Sequence, residues 1–288
     1  MEQKSIRERV IHHPVVSFFL LAYMISWLGF LPSILDIDES FGGLNLLVAQ
    51  FGPAIAGGLI IWYTGGPIRE WVGSIIHWRV PLKWWIITLV FPIFVFGATS
   101  LGFILLGYEP LLSKLPDPVL TFIPTLIGLS LLAGLGEEPG WRGFALPRLQ
   151  EQYGPLNATF LLGILWAFWH IPVFFVDPRS SHGITDPIIL GGLVLLTAVG
   201  IVLYTFFYTW IFNHTGSVLL MMLLHGGFNT ATIHLVPFAD EIVFGPNYTN
   251  LLIIQVGVLL ISVIILITMT RGFLGYGSKD ISNFTRKS

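Results

Sequence analysis

The sequence predicts an all-α, polytopic membrane protein with about eight transmembrane helices. Only 10% of the 288 residues are charged and 54% are hydrophobic, whereas a soluble chain carries about 25% charged residues. The apolar residues are grouped in runs of about 20, the length that crosses a bilayer as a helix. A formal net charge of −2 and the absence of cysteine argue against a nucleic-acid-binding protein, disulfides, thiolate catalysis and cysteine-based zinc sites.

Eight apolar runs without Asp, Glu, Lys or Arg are predicted as the spans. They are 15–35, 44–64, 84–107, 119–136, 156–176, 187–212, 216–236 and 250–270. The first follows two arginines, as in a signal peptide, but its apolar stretch is too long for a signal core and no small-residue cleavage pattern follows. We therefore expect it to be retained, and we expect the whole chain, 1–288, to form one intramembrane domain.

The positive charges predict that both termini are cytoplasmic. With the N-terminus placed inside, all 14 Lys and Arg residues except Lys114 and Arg179 fall in cytoplasmic segments, as the positive-inside rule requires. The stretch 69–85 is too polar to span the membrane. We interpret it as a cytoplasmic linker whose tryptophans lie at the membrane surface.

Three groups of polar residues stand out, because ionisable groups at membrane depth are candidates for function. They are Glu137, Glu138 and Arg142 at the end of the fourth span, His170 in the fifth, and His225 with Asn229 in the seventh. Residues four apart share a helix face, which pairs Glu138 with Arg142, Trp166 with His170 and His225 with Asn229. Pro139 disfavours a helical Glu138, so the three groups reach one depth only if the fourth helix continues through Arg142.

These residue types favour a hydrolase whose active site is buried among helices four, five and seven. A Glu in apolar surroundings can act as a general base towards water, and a His can hold the same water. A His and an Asn on one helix face can donate hydrogen bonds to an oxyanion. Glu137, His170 and His225 also match a known type of zinc-ligand set, so spacing alone leaves metal-dependent hydrolysis open.

The segments GEEPGWRGFALPRLQ, WAFWH and HGGFN together resemble the three-motif signature of the type II CAAX endopeptidases. This family is also called the CAAX protease and bacteriocin-processing, or Abi, family. The resemblance covers roughly residues 120–235, within an expected catalytic core of about 119–236. Trp166 replaces the Phe that is usual four residues before the motif histidine.

The resemblance implies an intramembrane endopeptidase that cuts near the C-terminus of a lipidated, CAAX-type or other membrane-delivered protein. Glu137 would be the base, and His170 would share its water. His225 and Asn229 would form the oxyanion hole, supported by Glu138 and Arg142. Because H-E-x-x-H is absent, we favour a glutamate-dependent enzyme without cofactor over a zinc enzyme. Its expected partners are membrane lipid and a lipidated or hydrophobic substrate.

Two functions of other classes use the same residues. Buried Glu and His also form the proton relays of carriers, although the chain has no matched half-repeats of broken helices. A catalytically silent scaffold or immunity protein would hold Glu138 and Arg142 as a purely structural ion pair.

Overall fold

The computed structural model describes residues 6–37, 43–176, 184, 186–245 and 247–277. Within these residues the chain is helical and has no strand, which confirms the all-α prediction. The helices are α1 (Ile6–His12), α2 (Pro14–Ile34), α3 (Leu44–Thr64), α4 (Ile68–Ile75), α5 (Leu82–Leu105), α6 (Ile123–Leu129), α7 (Leu135–Gly140), α8 (Leu146–Trp169), α9 (Val173–Val176), α10 (Pro187–Thr215), α11 (Val218–His234), α12 (Asp240–Val243) and α13 (Tyr248–Thr270). Both termini and the outer-loop Arg179 lie outside the described residues, so the orientation stays a prediction.

Six helical stretches of the described chain are long and apolar enough to cross a membrane, against the eight predicted. The first, second, third, sixth and eighth predicted spans coincide with α2, α3, α5, α10 and α13. The fourth and fifth fall together in one helical run of 59 residues, Pro118–Val176. The seventh corresponds to α11, whose 17 residues are at the lower limit for a span. The protein is therefore a polytopic membrane protein.

The run Pro118–Val176 consists of two limbs that meet at Gly154. This glycine has φ 72° and ψ 167°, which breaks α8 ahead of Pro155; a residue with a side chain rarely adopts such a positive φ. The second limb then folds back, since Trp166 contacts Glu137 on the first limb. Predicted helices four and five are these two limbs.

The first limb continues through Pro139, where the sequence left open whether the helix ends. α7 contains Pro139, and the π-helical segment Trp141–Ala145 follows it directly; a second π-helical segment, Ser130–Gly134, precedes α7. The local widening of a π-helix accommodates the missing N–H of proline and is common at functional sites. Glu137 therefore lies deep within a continuous helix, about 16 Å along the axis from Arg148.

α11 forms the centre of the molecule. It packs against α5, α6, the π-helical segment Ser130–Gly134 and α10, and eleven of its 17 residues are buried. α2 and α3 pack together on one side, where α3 also contacts α7, while α8 and α13 pack against α10. Because α11 faces protein on most sides, its polar residues are shielded from lipid.

Candidate active site

The carboxylate of Glu137 is held by three N–H donors. Its Oε1 accepts a hydrogen bond from Nε2 of Gln50 at 2.7 Å. Its Oε2 accepts from the indole nitrogens of Trp166 at 2.6 Å and Trp141 at 3.1 Å. With a residue exposure of 2%, Glu137 faces neither lipid nor bulk solvent. The two indoles occupy both lone pairs of Oε2, so one lone pair of Oε1 is left for another donor.

Close contact between α7 and α3 brings Gln50 to this carboxylate. A Cβ atom added at Gly136 would overlap the backbone of Gln50, and one added at Gly140 would overlap Pro53. Only glycine at these two positions lets the helices approach so closely. The small residues beside the EE motif thus fix the distance between Glu137 and its Gln50 donor.

Glu138, Arg142 and His225 form a second buried cluster. Nη1 of Arg142 lies 2.9 Å from both carboxylate oxygens of Glu138, and both residues are 0% exposed. The guanidinium carbon lies 4.1 Å from the ring centre of Trp166 and 4.0 Å from that of Tyr208, which adds cation–π contacts. The Glu138–Arg142 pair expected from the spacing therefore forms.

Glu138 also fixes the orientation of His225. Nδ1 of His225 lies 2.8 Å from Oε1 of Glu138, and a carboxylate paired with arginine is an acceptor only, so Nδ1 carries the hydrogen. Nε2 then points towards Glu137, 3.8 Å from its Oε1. In a neutral ring Nε2 presents a lone pair, whereas in a doubly protonated ring it presents an N–H.

A cavity of about 380 Å³ adjoins the two clusters, and its lining includes His170, His225, Asn229 and Trp166. His170 directly follows the last residue of α8. Its Nδ1 lies 2.9 Å from the carbonyl oxygen of Trp166, and its ring is near enough to Glu137 to interact electrostatically. Asn229 is half-buried one helical turn after His225. The structure thus brings the predicted site residues to one place, with Glu137 behind the cavity wall.

The hydrogen bonds of the site also concern the alternative in which Glu137, His170 and His225 bind a zinc ion. Among the described residues no group of three or more His, Asp or Glu side chains is arranged to hold one. Of the proposed zinc ligands, Glu137 accepts three N–H hydrogen bonds, and His225 directs its Nδ1 to Glu138. A bond from Nδ1 to a carboxylate is also usual for a zinc-ligating histidine, so the preference for a glutamate-dependent enzyme over a zinc enzyme stays a prediction.

Sequence reasoning missed three side chains of the site: Gln50, Trp141 and Tyr208. Gln50 and Tyr208 are polar residues inside predicted spans, and a polar group at membrane depth needs a partner inside the protein. An inspection of uncharged as well as charged residues would have singled them out. Trp141 stands inside the first motif, but its hydrogen bond to Glu137 depends on packing that the sequence does not reveal.

The interfacial linker also reaches the site. α4 contains no buried residue and is amphipathic, as the interpretation of 69–85 as a surface segment requires. Its Trp71, however, donates a hydrogen bond from Nε1 to the carbonyl oxygen of Pro139 at 2.9 Å. An added Cβ at Gly143 would come within 3.1 Å of the same nitrogen. The linker thus contacts the helix that carries both glutamates.

Comparison with known proteins confirms the resemblance deduced from the motifs. Residues 119–231 match the family described as type II CAAX prenyl endopeptidase Rce1-like. A protein named CAAX prenyl protease 2 from Methanococcus maripaludis is 35% identical over 108 residues. The aligned segment covers 36% of this chain and 38% of the relative's own length. The similarity therefore lies in the segment that carries the three motifs.

Proposed function

Since residues 119–231 match the type II CAAX prenyl endopeptidases, we propose that the protein is an intramembrane endopeptidase. It hydrolyses a peptide bond near the C-terminus of a lipidated, CAAX-type or other membrane-delivered protein. The observation that carries this proposal is the Glu137 carboxylate, held by three N–H donors beside His225 and next to a cavity lined by His170 and Asn229.

The proposed reaction begins with a water on the free lone pair of Glu137 Oε1. A water about 2.8 Å from each atom can bridge Oε1 and Nε2 of His225, which are 3.8 Å apart. His170, which lines the cavity, holds the same water from the cavity side. Glu137 takes a proton as the water oxygen attacks the scissile carbonyl carbon. The C–N bond then breaks, and Glu137 returns the proton to the leaving amine.

The oxyanion of the tetrahedral intermediate is proposed to lie against His225 and Asn229. Because Nδ1 of His225 is directed to Glu138, Nε2 donates to an oxyanion only when the ring is doubly protonated. Glu138 and Arg142 support this role by placing a negative charge against Nδ1. The charge bias of the loops supports cytoplasmic termini, and we propose that the site opens towards the cytoplasm or the inner leaflet.

Cleavage of a prenylated peptide, with and without chelator, tests the activity and its metal dependence. We expect the purified chain to release the C-terminal residues at a rate that excess EDTA or phenanthroline leaves unchanged within about twofold. The measurement is mass spectrometry of the products. Loss of activity on chelation, restored by Zn²⁺, would contradict the glutamate-dependent mechanism and favour the zinc alternative, for which Glu137, His170 and His225 are the candidate ligands.

Replacing Trp71 with Phe tests whether the linker positions the glutamates. This variant removes the indole donor to Pro139 but keeps an aromatic ring, so we expect kcat to fall by about two- to tenfold, the worth of one hydrogen bond, with KM little changed. Steady-state kinetics measure kcat and KM separately. Trp78→Phe is the matched control, because Trp78 is 61% exposed. Equal kinetics for the two variants would contradict a positioning role.

A further inference from the structure

A buried glutamine lies inside the most apolar of the six long helical stretches. Gln255 belongs to α13, whose mean hydropathy is 3.0. Its side chain is buried, with a residue exposure of 7%, and among the described residues its Nε2 has no hydrogen-bond partner. A buried amide without a partner costs free energy, and the hydrocarbon region of a bilayer supplies no water to satisfy it. Gln255 therefore needs a reason other than the stability of the fold.

A second buried glutamine shows what a structural role looks like in this protein. Nε2 of Gln150 donates to Oδ1 of Asn213 at 3.0 Å, and Oε1 of Gln150 accepts from Nδ2 of Asn213 at 2.8 Å. This reciprocal pair joins α8 to α10. Gln255 is similarly buried, but its Nε2 has no such partner in the described part of the chain. The amide of Gln255 therefore does not hold two helices together as that of Gln150 does.

Gln255 lies in the wall of the catalytic cavity. α13 contributes Tyr248, Leu252 and Gln255 to this wall, and their spacing of four and three residues places them on one face of the helix. His225 and Asn229 line the same cavity from α11. A sphere of the cavity's volume is about 9 Å across, the length of about three extended residues. A peptide whose scissile bond lies at His225 and Asn229 therefore reaches the α13 wall within a few residues.

An extended peptide in this cavity needs partners for its own backbone. Each buried N–H or C=O without a hydrogen bond costs free energy. In an extended chain the N–H and C=O of one residue point to the same side, as they do in the hydrogen-bonded pairs of an antiparallel sheet. A glutamine amide carries N–H donors and an acceptor oxygen on one carbon, so it can bond both groups of one residue. Gln255 thus has the chemistry to hold a peptide backbone irrespective of the peptide's side chains.

We propose that Gln255 binds the backbone of the substrate, through hydrogen bonds of its amide with the N–H and C=O of one extended residue close to the scissile bond. This inference rests on the proposed function and adds to it a substrate-binding residue outside 119–231, the segment that matches the family. Two observations carry it: the unpartnered Nε2, and the position of Gln255 in the cavity that His225 and Asn229 also line. The amide that the fold leaves unpaired finds its partners when the peptide binds.

The matched variants Gln255→Met and Gln150→Met test this proposal with the full-length protein in phosphatidylcholine vesicles. Methionine is unbranched and similar in length to glutamine, so each variant removes little more than the amide. Gln255→Met should lower kcat/KM for a prenylated CAAX-type peptide about tenfold, the worth of the lost hydrogen bonds, with most of the change in KM. Gln150→Met should keep kcat/KM within about twofold of the wild-type value, because Gln150 does not line the cavity.

The thermal stabilities of the two variants should show the reverse pattern. Gln255→Met removes an unpartnered buried amide, so its unfolding midpoint should equal or exceed that of the wild-type chain. Gln150→Met leaves Oδ1 of Asn213 without its donor, so its midpoint should fall. Thermal unfolding in detergent measures both midpoints. A Gln255→Met chain with wild-type kcat/KM, or with a midpoint lowered as much as that of Gln150→Met, would overturn this proposal and leave the proposed function standing.

An ester scan of the substrate locates the contact. Each peptide bond except the scissile one is replaced in turn by an ester, which removes one N–H donor. At one position near the scissile bond, the ester should lower kcat/KM about fivefold with the wild-type chain but less than about twofold with Gln255→Met. If no position shows this dependence on Gln255, the backbone contact is refuted.

Photocross-linking tests the contact without cleavage. A prenylated peptide with a benzophenone residue next to its prenylated cysteine, added below saturation, should label α13 in the Glu137→Gln variant, which is expected not to cleave it. The label on α13 should be several-fold weaker when Gln255→Met is added to that variant. Equal labelling of the two chains would overturn the proposal. If the wild-type chain cleaves no peptide, the proposed function fails, and the labelling still decides whether Gln255 binds the backbone.

Discussion

Glu137→Gln is expected to abolish peptide hydrolysis, with kcat lowered by about 10²–10⁴-fold, the usual contribution of a general base. Gln is nearly isosteric with Glu but cannot take a proton from water. The measurement is the rate of cleavage at saturating lipidated peptide. Glu241→Gln is the matched control, because it removes an exposed carboxylate on α12, and it should retain the wild-type rate.

The stability of the Glu137→Gln variant must be measured alongside its activity. The three N–H donors from Gln50, Trp141 and Trp166 would face a side chain with only one acceptor oxygen. An unsatisfied buried donor costs about 1–3 kcal/mol, so we expect a lower but still cooperative thermal transition. An inactive variant that is folded supports Glu137 as the base.

The same variant separates the proposed hydrolase from its rivals. A folded Glu137→Gln chain that still cleaves peptide at the wild-type rate would refute the assignment of the base. A proton-coupled carrier would show solute flux and no cleavage by the wild-type chain. A silent scaffold or immunity protein would keep its phenotype in the variant.

The convergence of the motifs could be predicted from the sequence because ionisable groups are rare in its apolar runs. A spacing of four placed Glu138 with Arg142, and helical rise from the cytoplasmic ends placed Glu137 and His225 at similar depth. The polar side chains of one membrane-embedded protein are shielded by one another, so equal depth on neighbouring helices implies proximity. The contacts of Glu137 with Trp166 and with His225 agree with this expectation.

The number and limits of the spans were less accessible to sequence reasoning. A hydropathy count ends a span at the first carboxylate, Glu137, although the helix continues because Glu137 and Glu138 are satisfied within the protein. The π-helical segments around Pro139 and the donor Gln50 depend on how α3 packs against α7. Such packing is set by tertiary contacts that a single sequence does not encode locally.

Arg142→Met is expected to reduce the free energy of unfolding by about 3–5 kcal/mol, because it leaves the carboxylate of Glu138 buried without its cationic partner. Both side chains are fully buried, and the guanidinium also packs on Trp166 and Tyr208. Thermal or denaturant unfolding in detergent measures the change. Arg69→Met is the matched control at an exposed position of α4, where we expect a change within about 0.5 kcal/mol.

The double variant Glu138→Gln with Arg142→Met distinguishes the loss of a charge partner from the loss of packing. Without a buried charge to compensate, the double variant should recover at least half of the stability lost in Arg142→Met. It should nevertheless stay catalytically impaired, because Nδ1 of His225 no longer faces a carboxylate and the doubly protonated ring loses its stabilising charge. A double variant as unstable as Arg142→Met would show that the guanidinium acts through its contacts with the aromatic rings, and full activity in it would contradict the role of Glu138 in orienting His225.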